Sequence, residues 1–190
     1  MSGDDKVIVK KPDLLLEILD WLKYILFAVL IGLLIVVFVV QRNSVIGESM
    51  VPNLQNGDQL LVEKVSKLFK SINYSEIITI STTMLKDHEG EPNIIKRVIG
   101  KPGDTIEIRD DGVYRNEQKI DETAYLPSSV LTENREKGFD KIILGEDEYY
   151  VLGDNRRVSL DSRNFGVVTL ESIIGKVLLR IAPLEKFGNP

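Results

Sequence analysis

The chain has 190 residues, 43% of them hydrophobic, with no cysteine and a formal net charge of −5. The lack of cysteine excludes disulfides, zinc–thiolate and iron–sulfur sites and a thiol nucleophile. The acidic balance argues against nucleic acid as a partner, because a phosphate-binding surface needs a basic excess. The length fits one membrane segment plus one domain of about 150 residues.

Residues 1–23 read as a short N-terminal segment. Leu14–Leu22 (LLLEILDWL) suggests a short amphipathic helix with Glu17 and Asp20 on one face, an interfacial lead-in to the apolar segment behind it. Tyr24–Val40 (YILFAVLIGLLIVVFVV) is free of charge. As a helix it would be about 25 Å long, close to the thickness of a bilayer core. Lys6, Lys10, Lys11 and Lys23 precede it, and only Arg42 comes soon after it. The positive-inside rule then places residues 1–23 in the cytoplasm, the anchor at 24–40 and residues 41–190 outside the cell membrane. A cleaved secretory signal would have a shorter apolar core and a small-residue cleavage site, whereas here Gln41-Arg42-Asn43 comes next. A soluble core helix is disfavoured because the segment is apolar all round.

Residues 41–190 contain short apolar runs rich in β-branched residues: Gln59–Val65, Glu76–Ser81, Asn93–Ile99, Thr105–Arg109, Lys141–Leu144, Tyr149–Leu152 and Lys176–Ile181. Each is bounded by turn-forming residues, so each is expected as a strand. Asp111-Gly112 and Gly145-Glu146 sit at expected hairpin turns. The expected fold is a mainly β domain behind one N-terminal transmembrane helix. The stretch Val113–Asp147 is more polar and reads as a small cap-like insertion, residues 113–147.

Three segments carry candidate chemistry. Gly47-Glu48-Ser49-Met50-Val51-Pro52 puts a serine on a Gly/Pro-flanked turn soon after the apolar segment. Ile94-Ile95-Lys96-Arg97-Val98-Ile99 puts a cation on each face of an aliphatic strand. Burial there would favour a neutral Lys96 amine, able to take a proton from a serine hydroxyl; a lysine snorkelling at a strand edge has the same pattern. Gly153–Gly166 (GDNRRVSLDSRNFG) is a loop in which Asp154, Arg156, Asp161 and Arg163 could form paired salt bridges. Ser159 could then hydrogen-bond the Lys96 amine. A solvated charged loop has the same composition.

Taken together, Ser49-Met50-x-Pro52, Lys96-Arg97-Val98-Ile99-Gly100-x-Pro102-Gly103-Asp104 and Gly153-Asp154-Asn155-Arg156-x-x-Ser159-x-Asp161-Ser162-Arg163-x-Phe165-Gly166 resemble the sequence boxes of type I signal peptidases. Order, spacing and the preceding single anchor agree over roughly residues 24–182. The resemblance implies a membrane-bound serine endopeptidase that removes signal peptides from exported precursor proteins. It implies Ser49 as nucleophile, Lys96 as general base and Ser159 as the residue orienting the lysine. It further implies Asp154, Arg156, Asp161 and Arg163 as site-shaping residues. Met50, Leu54 and Ile95 would line shallow pockets selecting small residues at −1 and −3 (Ala-x-Ala). The Ser49 N–H would be one oxyanion donor. Asn53 stands where the family usually has Thr, and Val158 where Asn often stands. Gly47 matches the branch typical of Gram-positive bacteria. No cofactor or metal is implied.

Three other readings share some of these features. A self-cleaving repressor has the dyad but neither the span nor this setting. A Ser–His peptidase would need His88, which sits in the polar run KDHEGEP and reads as a surface residue. A tethered non-catalytic module would be expected to lack the serine or the lysine.

Overall fold

The computed structural model describes residues 14–84, 93–135 and 141–190. The chain divides into two compact units, Met1–Phe38 and Val39–Pro190. Lys6, Lys10, Lys11 and His88 lie outside the described residues, as does the expectation attached to each.

Within the first unit, a helix α1 covers Leu14–Phe38. The described side chains along it are exposed. Its stretch Glu17–Ile35 is long and apolar enough to cross a membrane. The helix thus begins ahead of the segment expected as an anchor, residues 24–40, and ends at Phe38. The lead-in Leu14–Leu22 is not a separate helix but the first turns of α1. Within α1, Lys23 and Asp20 pair at 2.8 Å, three residues apart on one face. Val40, expected at the end of the anchor, already belongs to a strand.

The second unit has eleven strands and two short helices among the described residues. The strands are β1 Val40–Ser44, β2 Gln59–Glu63, β3 Ile77–Ser81, β4 Asn93–Gly100, β5 Thr105–Arg109 and β6 Gly112–Arg115, then β7 Gln118–Lys119, β8 Lys141–Ile143, β9 Glu148–Leu152, β10 Val168–Thr169 and β11 Ile173–Ala182. Helix α2 spans Val65–Leu68 and α3 spans Ser162–Phe165. One sheet has the order β1-β2-β11-β3-β4-β9-β10 and the other β7-β6-β5-β8. All paired strands run antiparallel.

Register decides what each face of β4 carries. Lys96 stands opposite Ile78 and Ile94 opposite Ile80, while Arg97 stands opposite Ile77 and Ile95 opposite Thr79. Directly opposed residues share a face. Ile78, Ile80, Ile94 and Val98 join one core with Tyr149, Val151, Val168 and Ile173. Ile77 and Ile95 join a second core with Val45, Met50, Leu54, Leu60, Val62 and Val177. A third core of Ile99, Ile106, Ile108, Val113, Leu144, Tyr150 and Leu152 joins the two sheets. Residues 94–100 are all buried, so neither face of β4 is wet.

The seven expected strands are present, Thr105–Arg109 with the expected ends and the other six with altered ends. The run through Val65 stops at Glu63 because Val65 opens α2. The Asp111-Gly112 hairpin joins β5 to β6. Gly145-Glu146 turns the chain but makes no hairpin, since β8 pairs with β5 and β9 with β4 and β10. The stretch expected as an insertion at 113–147 supplies β6, β7 and β8 to a sheet built on β5, and its Val113 and Leu144 are core residues. Strands β1 and β10 lie in polar or short runs whose pattern does not announce them.

Ile80 is fully buried in the first core. Ile80→Ala should cost about 2–5 kcal/mol of stability, read as a lower unfolding midpoint of the full chain in detergent; an unchanged midpoint would contradict this packing.

Candidate active site

Ser49 lies on the turn that comes after β1. The turn is closed by Val51 N–H to Glu48 O at 3.2 Å and Leu54 N–H to Met50 O at 2.9 Å. The Asn56 side chain accepts from Gly47 N–H at 3.0 Å. Met50 and Leu54 are buried in the core below, so the turn is anchored by apolar side chains on either side of its closing bond.

Lys96 comes from the middle of β4 and is 3% exposed. Its Nζ and Ser49 Oγ are hydrogen-bonded at 2.9 Å. A cavity of about 190 Å³ opens at this pair, lined by Ile46, Gly47, Glu48, Ser49, Ile94, Ile95, Lys96, Val158 and Leu160. Ile46, Val158 and Leu160 are exposed apolar residues beside the serine. Such a cluster beside polar groups is characteristic of a ligand-binding groove. Of the expected pocket residues, Ile95 lines this cavity, while Met50 and Leu54 support it from the core.

The loop after β9 reaches the serine through its backbone. Asn155 N–H donates to Ser49 O at 2.9 Å, and the Asn155 side chain donates to Glu48 O at 3.2 Å. Gly153 lies at the closest approach. A Cβ there would sit 2.1 Å from Ser159 Oγ and 2.5 Å from Ser49 O, so no side chain fits. Ser159 is fully buried, and its Oγ has no hydrogen bond of good geometry. The bond expected between Ser159 and Lys96 is thus not formed in this structure, although Ser159 lies against Gly153 beside the Ser49 turn.

Of the four charged loop residues expected to pair among themselves, Asp161 and Arg163 do so, while Asp154 and Arg156 take partners outside the loop. Asp154 accepts two bonds from Arg97, Nε at 2.8 Å and Nη2 at 2.6 Å, rather than pairing with Arg156. Arg97 lies on the face of β4 opposite Lys96, is buried, and requires a carboxylate because it cannot lose its proton. Arg156 instead reaches the polar stretch after β7. It donates to both carboxylate oxygens of Glu122, at 2.8 and 2.5 Å, and to Thr132 Oγ1. Burial works against the Arg156 charge, but the Glu122 carboxylate more than offsets it, so its pKa is raised. Arg163 and Asp161 do pair, Nε to Oδ1 at 2.8 Å and Nη2 to Oδ2 at 2.9 Å. Asp161 also caps α3 with a reciprocal capping box and accepts from Gly153 N–H at 3.0 Å.

Two asparagines with no expected role prove structural. Asn155 clamps the Ser49 turn through both its main chain and its side chain. Asn53, the departure from the usual Thr, donates its amide to Asp154 Oδ2 and to Tyr125 O, both at 2.8 Å. The Tyr125 ring lies 4.3 Å from the Arg97 guanidinium. A short polar residue just after Pro52 was the only sequence signal, and it does not distinguish a bridge from a turn residue. Among the described residues, no group of three or more His, Cys, Asp or Glu is arranged to hold a metal ion.

Burial pushes the Asp161 carboxyl up, but hydrogen bonding and charge from Arg163 outweigh it, helped by Gly153 N–H and more weakly by the Ser159 hydroxyl. The carboxyl is therefore held below its ordinary value of 3.8. A depressed folded pKa gives stability that is present above the unfolded value and lost as pH falls through the folded one. Asp161→Asn should unfold with a weaker dependence on pH below 3.8 than the parent chain; superimposable acid-unfolding profiles would contradict the pairing.

The model of the family described as "Signal peptidase, peptidase S26" matches residues 18–182. Signal peptidase I P of Bacillus subtilis subsp. natto is 33% identical over 184 residues, covering 91% of this chain and 94% of that protein. Signal peptidase IB of Staphylococcus aureus is 31% identical over 185 residues, covering 91% and 94%. A crystal structure of a signal peptidase I from Enterococcus faecalis aligns with a TM-score of 0.44 and 28% identity, covering 55% of this chain and 95% of that one.

Proposed function

The chain belongs to the signal peptidase family, peptidase S26, a serine protease that cleaves signal peptides from precursor proteins, and from that premise we propose that Ser49 is its nucleophile and Lys96 its general base. The observation that carries this reading is the 2.9 Å contact between Ser49 Oγ and the Nζ of a lysine that is 3% exposed. Desolvation among aliphatic side chains favours the uncharged amine. The same pair of heavy atoms can be joined with either as donor, and the reactive arrangement has the hydroxyl donating to the neutral amine.

The reaction then runs in two balanced halves. Ser49 Oγ attacks the scissile carbonyl carbon while Lys96 Nζ takes the hydroxyl proton. The tetrahedral intermediate collapses, and the amine of the mature chain leaves with the proton from Lys96. This leaves the signal peptide as an ester on Ser49. Lys96 next takes a proton from water, whose hydroxide attacks the ester. Collapse releases the signal peptide as its carboxylic acid, which ionises to solvent, and Ser49 recovers its proton from Lys96. The Ser49 N–H serves as one donor to the oxyanion. Gly47 has no side chain, so residue 47 offers no hydroxyl for a second.

Selectivity stems from the cavity beside the pair. Its volume of about 190 Å³ and its lining by Ile46, Ile94, Ile95, Val158 and Leu160 suit small apolar side chains. Met50 and Leu54 fix its floor from the core. This supports cleavage after Ala-x-Ala sequences. Ser159, Asp154, Arg156, Asp161 and Arg163 act by shaping the site: Ser159 packs its buried hydroxyl against Gly153 beside the Ser49 turn, and the four charged residues fix the loops around it.

We further propose that α1 holds the enzyme in the lipid bilayer. The residues ahead of the span would face the cytoplasm and the catalytic domain, residues 41–190, the outer side. The support is the exposed apolar stretch Glu17–Ile35 and the basic residues that precede it. Nucleic acid has no part in this reading.

A precursor, or a peptide with Ala at −3 and −1, incubated with detergent-solubilised enzyme should be cleaved at that site. Ser49→Ala and Lys96→Ala should each reduce the rate by about a thousandfold or more. Cleavage retained by either variant would sink the dyad. Replacing the −1 alanine of the peptide by leucine should lower kcat/KM by about a hundredfold; equal turnover of the two peptides would contradict the small-residue pocket.

A further inference from the structure

Inside the loop, the turn that carries Ser159 is closed by two main-chain bonds, from Val158 N–H and Ser159 N–H to Asn155 O at 3.2 and 3.0 Å. Arg157, Val158 and Leu160 are exposed. The Ser159 hydroxyl is buried beside Gly153 but bonds to nothing with good geometry. The place of that hydroxyl therefore follows its backbone, whose carbonyls are gripped from outside the loop as well. Arg135, in the polar stretch after β7, donates Nη1 to Ser159 O at 2.8 Å and Nη2 to Arg156 O at 2.9 Å. The same Nη2 also reaches Arg157 O. One planar guanidinium thus spans three carbonyls of a single turn, a use of its fixed fork that an ammonium cannot copy.

We propose that Arg135 is a positioning residue for the Ser49–Lys96 pair, acting through the main chain of the 156–159 turn. This rests on the reading of Ser49 and Lys96 as the catalytic dyad. Arg163 Nη2 donates to Arg156 O from the inner side of the loop at 2.8 Å, so two guanidinium groups converge on one carbonyl. Arg163 is additionally fixed by Asp161, and Arg156 by Glu122. Arg135 is the half-buried outer member. Its removal leaves both of those buried pairs intact and frees the Ser159 end of the turn alone. The segment bearing Arg135 thereby becomes part of the catalytic apparatus rather than a peripheral decoration.

The test is steady-state cleavage of the Ala-x-Ala peptide by the full-length enzyme in detergent, with the thermal midpoint measured on the same samples. Arg135→Ala should lower kcat about tenfold, the worth of one charge-assisted hydrogen bond. KM should change less than kcat, since of the apolar cavity lining only Val158 and Leu160 lie at the freed turn while Ile46, Ile94 and Ile95 lie outside it, and a fall in kcat larger than any rise in KM marks loss of transition-state interactions. Arg135→Lys should fall between the two, because its ammonium keeps the charge and reaches fewer carbonyls. A wild-type kcat in Arg135→Ala, a raised KM at unchanged kcat, or a loss of kcat matched by a loss of folded enzyme each overturns the proposal. Lys96→Ala is run alongside: if it still cleaves, the dyad reading has failed, whereas a dead Lys96→Ala with an unimpaired Arg135→Ala means that only the role of Arg135 has.

Discussion

Two adjacent cations are buried on opposite faces of β4, and the structure around the site depends on how each is accommodated. A buried charge without compensation costs several kcal/mol, on the order of 3–5 when a partner is removed. Arginine cannot escape that cost by losing its proton, so Arg97 takes the carboxylate of Asp154 in a two-point bond. Lysine can lose its proton, and Lys96 meets the hydroxyl of Ser49. The Arg97–Asp154 pair draws the loop after β9 against β4. That brings Gly153 into contact with both Ser49 and Ser159, where only a glycine fits. The register of one strand thus sets the positions of the serine, the lysine and the loop between them.

The loop is then held by polar contacts with the segment after β7. Glu122 and Thr132 take Arg156, the Glu133 carbonyl accepts from Arg163, and Asn53 ties Tyr125 to Asp154. Residues 120–135 contain no helix or strand, so hydrogen bonds and ion pairs do the ordering there. Burial alone could not, because Ile120, Tyr125 and Leu126 are the few apolar side chains that this segment commits to packing. Networks of this kind specify one arrangement when each member is satisfied. The Ser159 hydroxyl is the exception, and it lies against Gly153, which also closely approaches Ser49 O.

Much of this was legible in the sequence. Strands with clean β-branched runs, such as Thr105–Arg109, were readable because their apolar side chains alternate with polar ones. The alternation in β4 correctly announced two cations among aliphatics. The pairing of those cations was not readable. Asp154 is two residues from Arg156 and 57 from Arg97, and local spacing favoured the wrong partner. Strand β1 was hidden in the polar run VQRNS, since its place at a sheet edge asks little of its side chains. The 113–147 stretch looked like an insertion because its polar loops outnumber the core residues Val113 and Leu144. Asn53 looked like a mere departure from a pattern, because a bridging amide leaves no periodic signature.

The central claim is that Ser49, activated by Lys96, forms a covalent bond to the signal-peptide carbonyl. Rapid mixing of the enzyme with an activated ester of an Ala-x-Ala peptide, acid quenching within the first turnover and mass analysis of the proteolysed protein tests this directly. The account predicts an acyl adduct on the fragment containing Ser49 and none in enzyme carrying Lys96→Ala. An adduct on another residue, or equal acylation of Ser49 without Lys96, would contradict it.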